Sequence, residues 1–288
     1  MKKVAVIQDL SSFGKCSLTA AIPVLSVMGV QACPLPTAIL TAQTGYPSFF
    51  CEDFTSKMKH FIEEWSKLKV TFDGIYTGFV TGEEQINNIF HFLEKFYTNE
   101  TILLVDPVMG DLGEVYKLFT DELLVLMREL VKRADVITPN VTECCLLTGM
   151  SYEKLHSYSN EKDYIKAIEE SGNILQQETG AQVIITGINP PSDDPDKQYI
   201  GNMYLDGSNI FYRAMQYNGK SYSGTGDLFA SVIMGSMMRG ENLEKSVQLA
   251  EAFLTAAIND SSLEQVPKVE GVNFEKYLKM LLLKDIFA

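Results

Sequence analysis

The chain has 288 residues, 46% hydrophobic and 21% charged, enough to bury a large core, and it fits one α/β domain over 1–288 better than two small ones. Its 37 acidic against 24 basic side chains leave a net charge of -13, which argues against nucleic acid and anionic membrane as partners. The five cysteines include the adjacent Cys144 and Cys145 but no C-x-x-C pair, and only three histidines are scattered along the chain; a zinc site and disulfides have little support, and a reducing cytoplasm is the simplest setting.

In chain order, MKKVAVIQDLSS carries an apolar run too brief for a signal peptide or a membrane span, and it predicts a first strand at 4–9. Further runs at 31–36, 74–79, 101–106, 135–140 and 181–187 are apolar on both faces, as in strands buried between helical layers. Apolar residues at three- and four-residue spacing predict helices near 15–28, 53–68, 82–97, 119–133, 142–149 and 161–179. KQYIGNMYLDG and NIFYRAMQYN alternate at nearly period two around Gly207, which predicts an antiparallel pair at the sheet edge. PPSDDPDK at 190–197 predicts a surface loop. Helices follow at 225–239, at 243–259 and, amphipathic, near 274–283. The expected fold is a three-layer α/β/α with a mostly parallel central sheet and antiparallel edge strands.

Open parallel sheets bind ligands beyond the carboxyl ends of their strands, and polar residues end several runs here: Gln8 and Asp9, Asp106, Thr138 and Asn140, and Thr186. The stretch SGTGDLFAS adds a second signal. Gly224 and Gly226 lack the Cβ atoms that would hold a ligand off the backbone, so the amides around Thr225 can converge on an anion at a helix N-terminus. Asp227 either caps that helix or takes a proton from an attacking hydroxyl. DPVMGD pairs Asp106 with Asp111; two acids near a triphosphate usually mean magnesium, and surface solvation is the alternative. In TPNVTE, Asn140 and Glu143 have capping-box spacing, and Glu143 could instead hold a metal-bound water. Lys15 fails the P-loop spacing, and Lys220 precedes the GTGD loop.

The ordered set IQDLSSFGK, AQTGYPSF, YTGFVTG, DPVMGD, TPNVTE, IITG and SGTGDLFAS resembles pyridoxal kinases of the ribokinase superfamily, closest to their bacterial branch, and runs from about residue 4 to 260. The resemblance implies phosphorylation of the 5′-hydroxymethyl group of pyridoxal, pyridoxamine or pyridoxine by ATP. It makes Asp227 the base and Gly224, Thr225 and Gly226 the anion hole. Asp106, Thr138, Asn140, Thr186 and Thr225 fall at nucleotide contacts, and Asp111 and Glu143 at magnesium. Asp9, Thr44 and Phe79 match the positions that hold the pyridine ring, flanked by Gln43 and Tyr46. It further implies a monovalent cation, K+ or Na+, and a homodimer. Two positions depart from the pattern: Asp9, where relatives often carry serine, and Phe79, where tyrosine is common. The alternative is a hydroxymethylpyrimidine kinase of thiamine synthesis, similar in LTAQT; such enzymes generally carry cysteine where this chain has Asp227.

Overall fold

In the computed structural model, which describes residues 1–117, 119–192, 194, 196–207 and 209–282, the chain forms two compact units. One combines Met1–Ile102 with the chain from Lys220 onward, and the other is Leu103–Gly219.

The first unit begins with β1 (Lys3–Ser11), whose Val4, Val6 and Ile7 are fully buried, and continues through α1 (Ser17–Val27), β2 (Gln31–Leu40), β3 (Cys51–Asp53), α2 (Thr55–Lys67), β4 (Gly74–Thr77) and α3 (Glu83–Phe96). β1 lies between β2 and β4 and is parallel to both, with Val4 opposite Ala32 on one side and Gly74 on the other. Such central strands meet apolar layers on both faces, which is why they read as unbroken apolar runs. The short β3 is antiparallel to β2. Phe72, Phe92 and Phe96 form an aromatic cluster under α3, Phe92 and Phe96 lying 4.6 Å apart.

The second unit holds β5 (Ile102–Val105), a hairpin of β6 (Gly110–Asp111) and β7 (Glu114–Val115), α4 (Asp121–Val131), β8 (Val136–Ile137), α5 (Val141–Thr148), α6 (Tyr152–His156), α7 (Glu161–Thr179), β9 (Gln182–Ile188), β10 (Gln198–Asp206) and β11 (Asn209–Tyr217). β5, β8 and β9 run parallel, whereas β10 is antiparallel to β9 and to β11. The mixed α/β fold, with a mostly parallel sheet and antiparallel edge strands, is the one expected. Within 190–197, Asp193 and Pro195 lie outside the described residues.

The chain then returns to the first unit with α8 (Thr225–Met238) and α9 (Leu243–Leu263). α8 is buried along most of its length, from Leu228 through Ser236, so its sequence shows no clean amphipathic stripe. The amphipathic stretch expected near 274–283 is 3-10 helix over Phe274–Leu281, and Leu283 lies outside the described residues. Asn273 explains the tight turn's anchorage: its backbone amide donates to Ser261 Oγ at 2.7 Å and its side chain to Glu264 at 2.8 Å. Among the described residues no helix is long and apolar enough to cross a membrane.

Candidate functional site

The first unit carries the GTGD turn. Gly224 occupies the N-cap of α8 with φ +79°, and a methyl group built on it would lie 2.0 Å from the carbonyl oxygen of Lys15. Glycine is therefore required twice over, by dihedral angle and by the loop that packs on it. Gly226 is different: it is exposed, and a Cβ there would meet nothing within 4 Å, so its bare backbone faces open space. Thr225 turns its hydroxyl back to Tyr222 O at 3.1 Å. Asp227 stands half-buried in the first turn of α8, where the helix dipole favours a negative charge.

Asp227 shares its surroundings with Asp9. The buried thiol of Cys16 is pushed well above its ordinary pKa by burial first and then by the charges of Asp227 and Asp9, which places all three in one neighbourhood. Asp9 is itself buried, and Ser11 Oγ donates to its Oδ2 at 2.8 Å. Burial raises its carboxyl above the usual range, against the opposing pull of hydrogen bonds from Ser17 and Ser11.

The remaining acceptor-side candidates divide. Thr44 is exposed and Phe79 half-buried, with the Phe79 carbonyl accepting from Thr37 Oγ1 at 3.0 Å. Gln43 is occupied structurally. Its Nε2 donates to Val269 O at 2.9 Å and to Ser223 Oγ at 3.3 Å, while its Oε1 accepts from Gly45 N at 2.7 Å. It ties the 43–46 loop to the approach to GTGD, a role its neighbours in sequence do not announce. Lys15 pairs with Glu275 at 3.2 Å and Asn273 at 3.0 Å, and Lys220 Nζ donates to Ser262 O at 3.2 Å. Gln8, beside Asp9 among the polar residues that end the first strand run, stands apart. It is fully buried, its Oε1 fits against Gly78, where a Cβ would come within 2.3 Å, and neither amide atom has a hydrogen-bond partner.

The second unit gathers the acids. Asp106 follows β5, buried, with Thr138 Oγ1 donating to its Oδ1 at 2.9 Å. Asn140 caps α5, Glu143 N donates to Asn140 Oδ1 at 3.0 Å, and Asn140 N donates to Glu143 Oε2 at 2.8 Å, so the capping box is present. Glu143 does more than cap, because its Oε1 also accepts from Met109 N at 3.1 Å. Burial lifts Asp106 to about pH 7, and it raises Glu143 well above the usual range, with the charge of Asp106 adding to the effect. Two buried carboxyl groups crowding each other in this way fit a site built for a cation. Thr186 on β9 bridges to Asn140 through the backbone, its amide donating to Pro139 O at 2.9 Å. Asp111 is exposed on the β6–β7 hairpin. Among the described residues no group of three or more His, Cys, Asp or Glu is arranged to hold a metal by itself.

The sequence profile described as phosphomethylpyrimidine kinase matches residues 12–272. The chain belongs to this family. Its relatives carry two kinds of name. A protein from Bacteroides thetaiotaomicron, provisionally named a phosphomethylpyrimidine kinase and crystallised with pyridoxal, is 37% identical with a TM-score of 0.86, over 97% of this chain and 95% of that one. The pyridoxal kinase from Lactobacillus plantarum is 30% identical with a TM-score of 0.84, over 98% and 96%. A pyridoxal kinase from Dictyostelium discoideum is 26% identical over 90% of this chain and 86% of its own length. These structures share the mixed α/β architecture, and a kinase of this family is what the chain is similar to throughout.

Proposed function

We propose that the chain transfers the γ-phosphoryl group of ATP to the 5′-hydroxymethyl group of a B6 vitamer. The observation that carries this reading is Asp227, an acid half-open to solvent in the first turn of α8, behind a glycine N-cap and beside the bare backbone of Gly226. In the reading, the Asp227 carboxylate takes the proton of the vitamin's hydroxyl. That oxygen then bonds to the γ-phosphorus as the bond to the β,γ-bridging oxygen breaks, and ADP leaves. The Gly224, Thr225 and Gly226 amides receive the negative charge on the group in flight.

Asp106, Thr138, Asn140 and Thr186 would hold the nucleotide, and Asp111 and Glu143 the magnesium, partly through water. When bound, magnesium neutralises the nucleotide's phosphates. Since no protein cluster of three donors is available among the described residues, phosphate oxygens and water would complete its shell. Asp9, Thr44 and Phe79 would contact the pyridine ring. Gln43 would act indirectly, by shaping the loop.

The second reading, a hydroxymethylpyrimidine kinase, is favoured by the family's description. The aspartate at 227 favours the vitamin. A magnesium- and ATP-dependent assay with pyridoxal, pyridoxamine, pyridoxine and hydroxymethylpyrimidine side by side decides between them. Higher kcat/KM for the B6 vitamers is expected; preference for the pyrimidine would overturn the proposal in favour of the second reading.

A further inference from the structure

The β6–β7 hairpin carries a strained turn. Its two central residues, Leu112 and Gly113, both have positive φ, +52° and +84°, the pattern of a type I′ turn that normally calls for Asn-Gly or Gly-Gly. A leucine held in the left-handed region is disfavoured, and here it is also largely exposed, at 69%. Something outside the turn therefore keeps it in that state.

Three contacts from the same unit do so. Asn140 Nδ2 donates to Gly110 O at 2.8 Å, and Gly113 N donates to Thr142 Oγ1 at 2.9 Å. The third is a ring: a methyl built on Gly113 would lie 2.6 Å from Tyr152 Cε1, so the bare glycine seats directly against the tyrosine ring. The ring is backed in turn by His156, stacked at 4.0 Å, and His156 meets the buried Tyr164 of α7 edge-on at 5.7 Å. A brace of three aromatic side chains thus runs from the core of this unit to the hairpin tip. The residue beside that tip is Asp111, whose Oδ1 accepts from Leu112 N at 2.9 Å, so the turn's conformation and the direction of the carboxyl group are linked.

We propose that Tyr152 is a positioning residue for Asp111: its ring holds the Leu112–Gly113 turn in its strained state and so fixes where the Asp111 carboxylate points. The inference rests on the metal role proposed for Asp111 above. Residues that orient a metal's ligands typically carry tenfold to a hundredfold of the affinity.

The test compares wild type with Tyr152→Phe, which keeps the ring, and Tyr152→Ala, which removes it; Tyr152→Leu replaces the alanine variant should that fail to fold. Two readouts are taken: amide hydrogen exchange at 110–115, and ADP affinity with magnesium against ADP affinity in chelator. Tyr152→Ala should exchange faster at Gly113 and lose about tenfold of the magnesium-dependent gain in ADP affinity, with affinity in chelator unchanged and Tyr152→Phe like wild type. An unaltered magnesium gain in Tyr152→Ala overturns the positioning role. Wild-type protein whose ADP affinity ignores magnesium overturns the metal reading itself, and this inference with it, and that result is visible before any substitution is made.

Discussion

Asp227 and Glu143 occupy the same position, the third residue of a helix, α8 in one unit and α5 in the other, yet the two helices use their acids in opposite ways. Glu143 sits behind an asparagine N-cap, is buried, and spends both oxygens on backbone amides. Asp227 sits behind a glycine that has no side chain to cap with, and it stays half-open to solvent. A buried residue that holds backbone with both oxygens is poorly placed to accept a substrate's proton, whereas the half-exposed acid of α8 is the one proposed above as the base. The difference lies in the N-cap, asparagine against glycine, and substitutions there and at the acids can break or sharpen it.

The largest expected effect is at Asp227. Asp227→Asn keeps shape and removes the proposed base, so kcat should fall about a hundredfold to ten-thousandfold with the melting temperature nearly unchanged. Near-normal turnover would remove Asp227 from the mechanism.

Next come the two glycines of the turn, which predict opposite outcomes. Gly224→Ala meets the Lys15 carbonyl and a φ of +79°, and should destabilise the protein by about 2 kcal/mol or more. Gly226→Ala finds open space and should melt like wild type while losing turnover, because a methyl group would intrude on the proposed anion hole. Thermal melts and kcat measured on both variants check this; equal destabilisation would mean that both glycines serve the fold alone.

This contrast also shows how far the residues could be read in advance. The periodicity of 161–179 and the Asn140–Glu143 spacing translate directly into α7 and a capping box, because both depend on neighbours within a few positions. The sequence suggests a ligand as the reason for glycine at 224, and the structure adds a second one that it could not show, the carbonyl of Lys15, more than two hundred residues earlier in the chain. The resemblance sets Gln43 at the flank of the ring pocket, and the structure adds what the sequence could not show, that its amide is engaged with Ser223 and Val269. The β6–β7 hairpin escaped notice because its turn is Leu-Gly, stabilised from α5 and α6 instead of by its own residue types. Local physics was legible; long-range packing was not.

A smaller effect concerns the acids of the second unit. An Asp106 pKa of about 7 in the folded protein, against an ordinary 3.8, means that the folded state holds more protons than the unfolded chain between those values. Stability therefore falls as pH rises through that window and levels off above it. Glu143 shifts in the same direction. The loss is on the order of a few kcal/mol. Melting of nucleotide-free protein in chelator at about pH 5 and about pH 8 should show a drop that Asp106→Asn makes smaller, the remainder belonging to Glu143. An identical drop in the variant would mean that the acids of this cluster do not titrate as their burial implies.

The smallest expected change is one of preference, at Asp9. This carboxyl is buried and held by the hydroxyls of Ser11 and Ser17, and burial keeps its pKa raised. A cationic group arriving beside it would offset that desolvation, as no neutral hydroxyl can. Pyridoxamine carries an ammonium group where pyridoxal carries an aldehyde, so Asp9→Ser should lower kcat/KM for pyridoxamine more than for pyridoxal. The shift in their ratio should be roughly tenfold, the worth of one hydrogen bond to a charged group. Because position 9 is expected to touch the vitamin while the proton transfer is proposed to fall to Asp227, kcat for pyridoxal should change little. A ratio that stays constant would mean that the acid at 9 meets a part of the ring common to both vitamers, and the preference would have to be sought at Thr44 or Phe79.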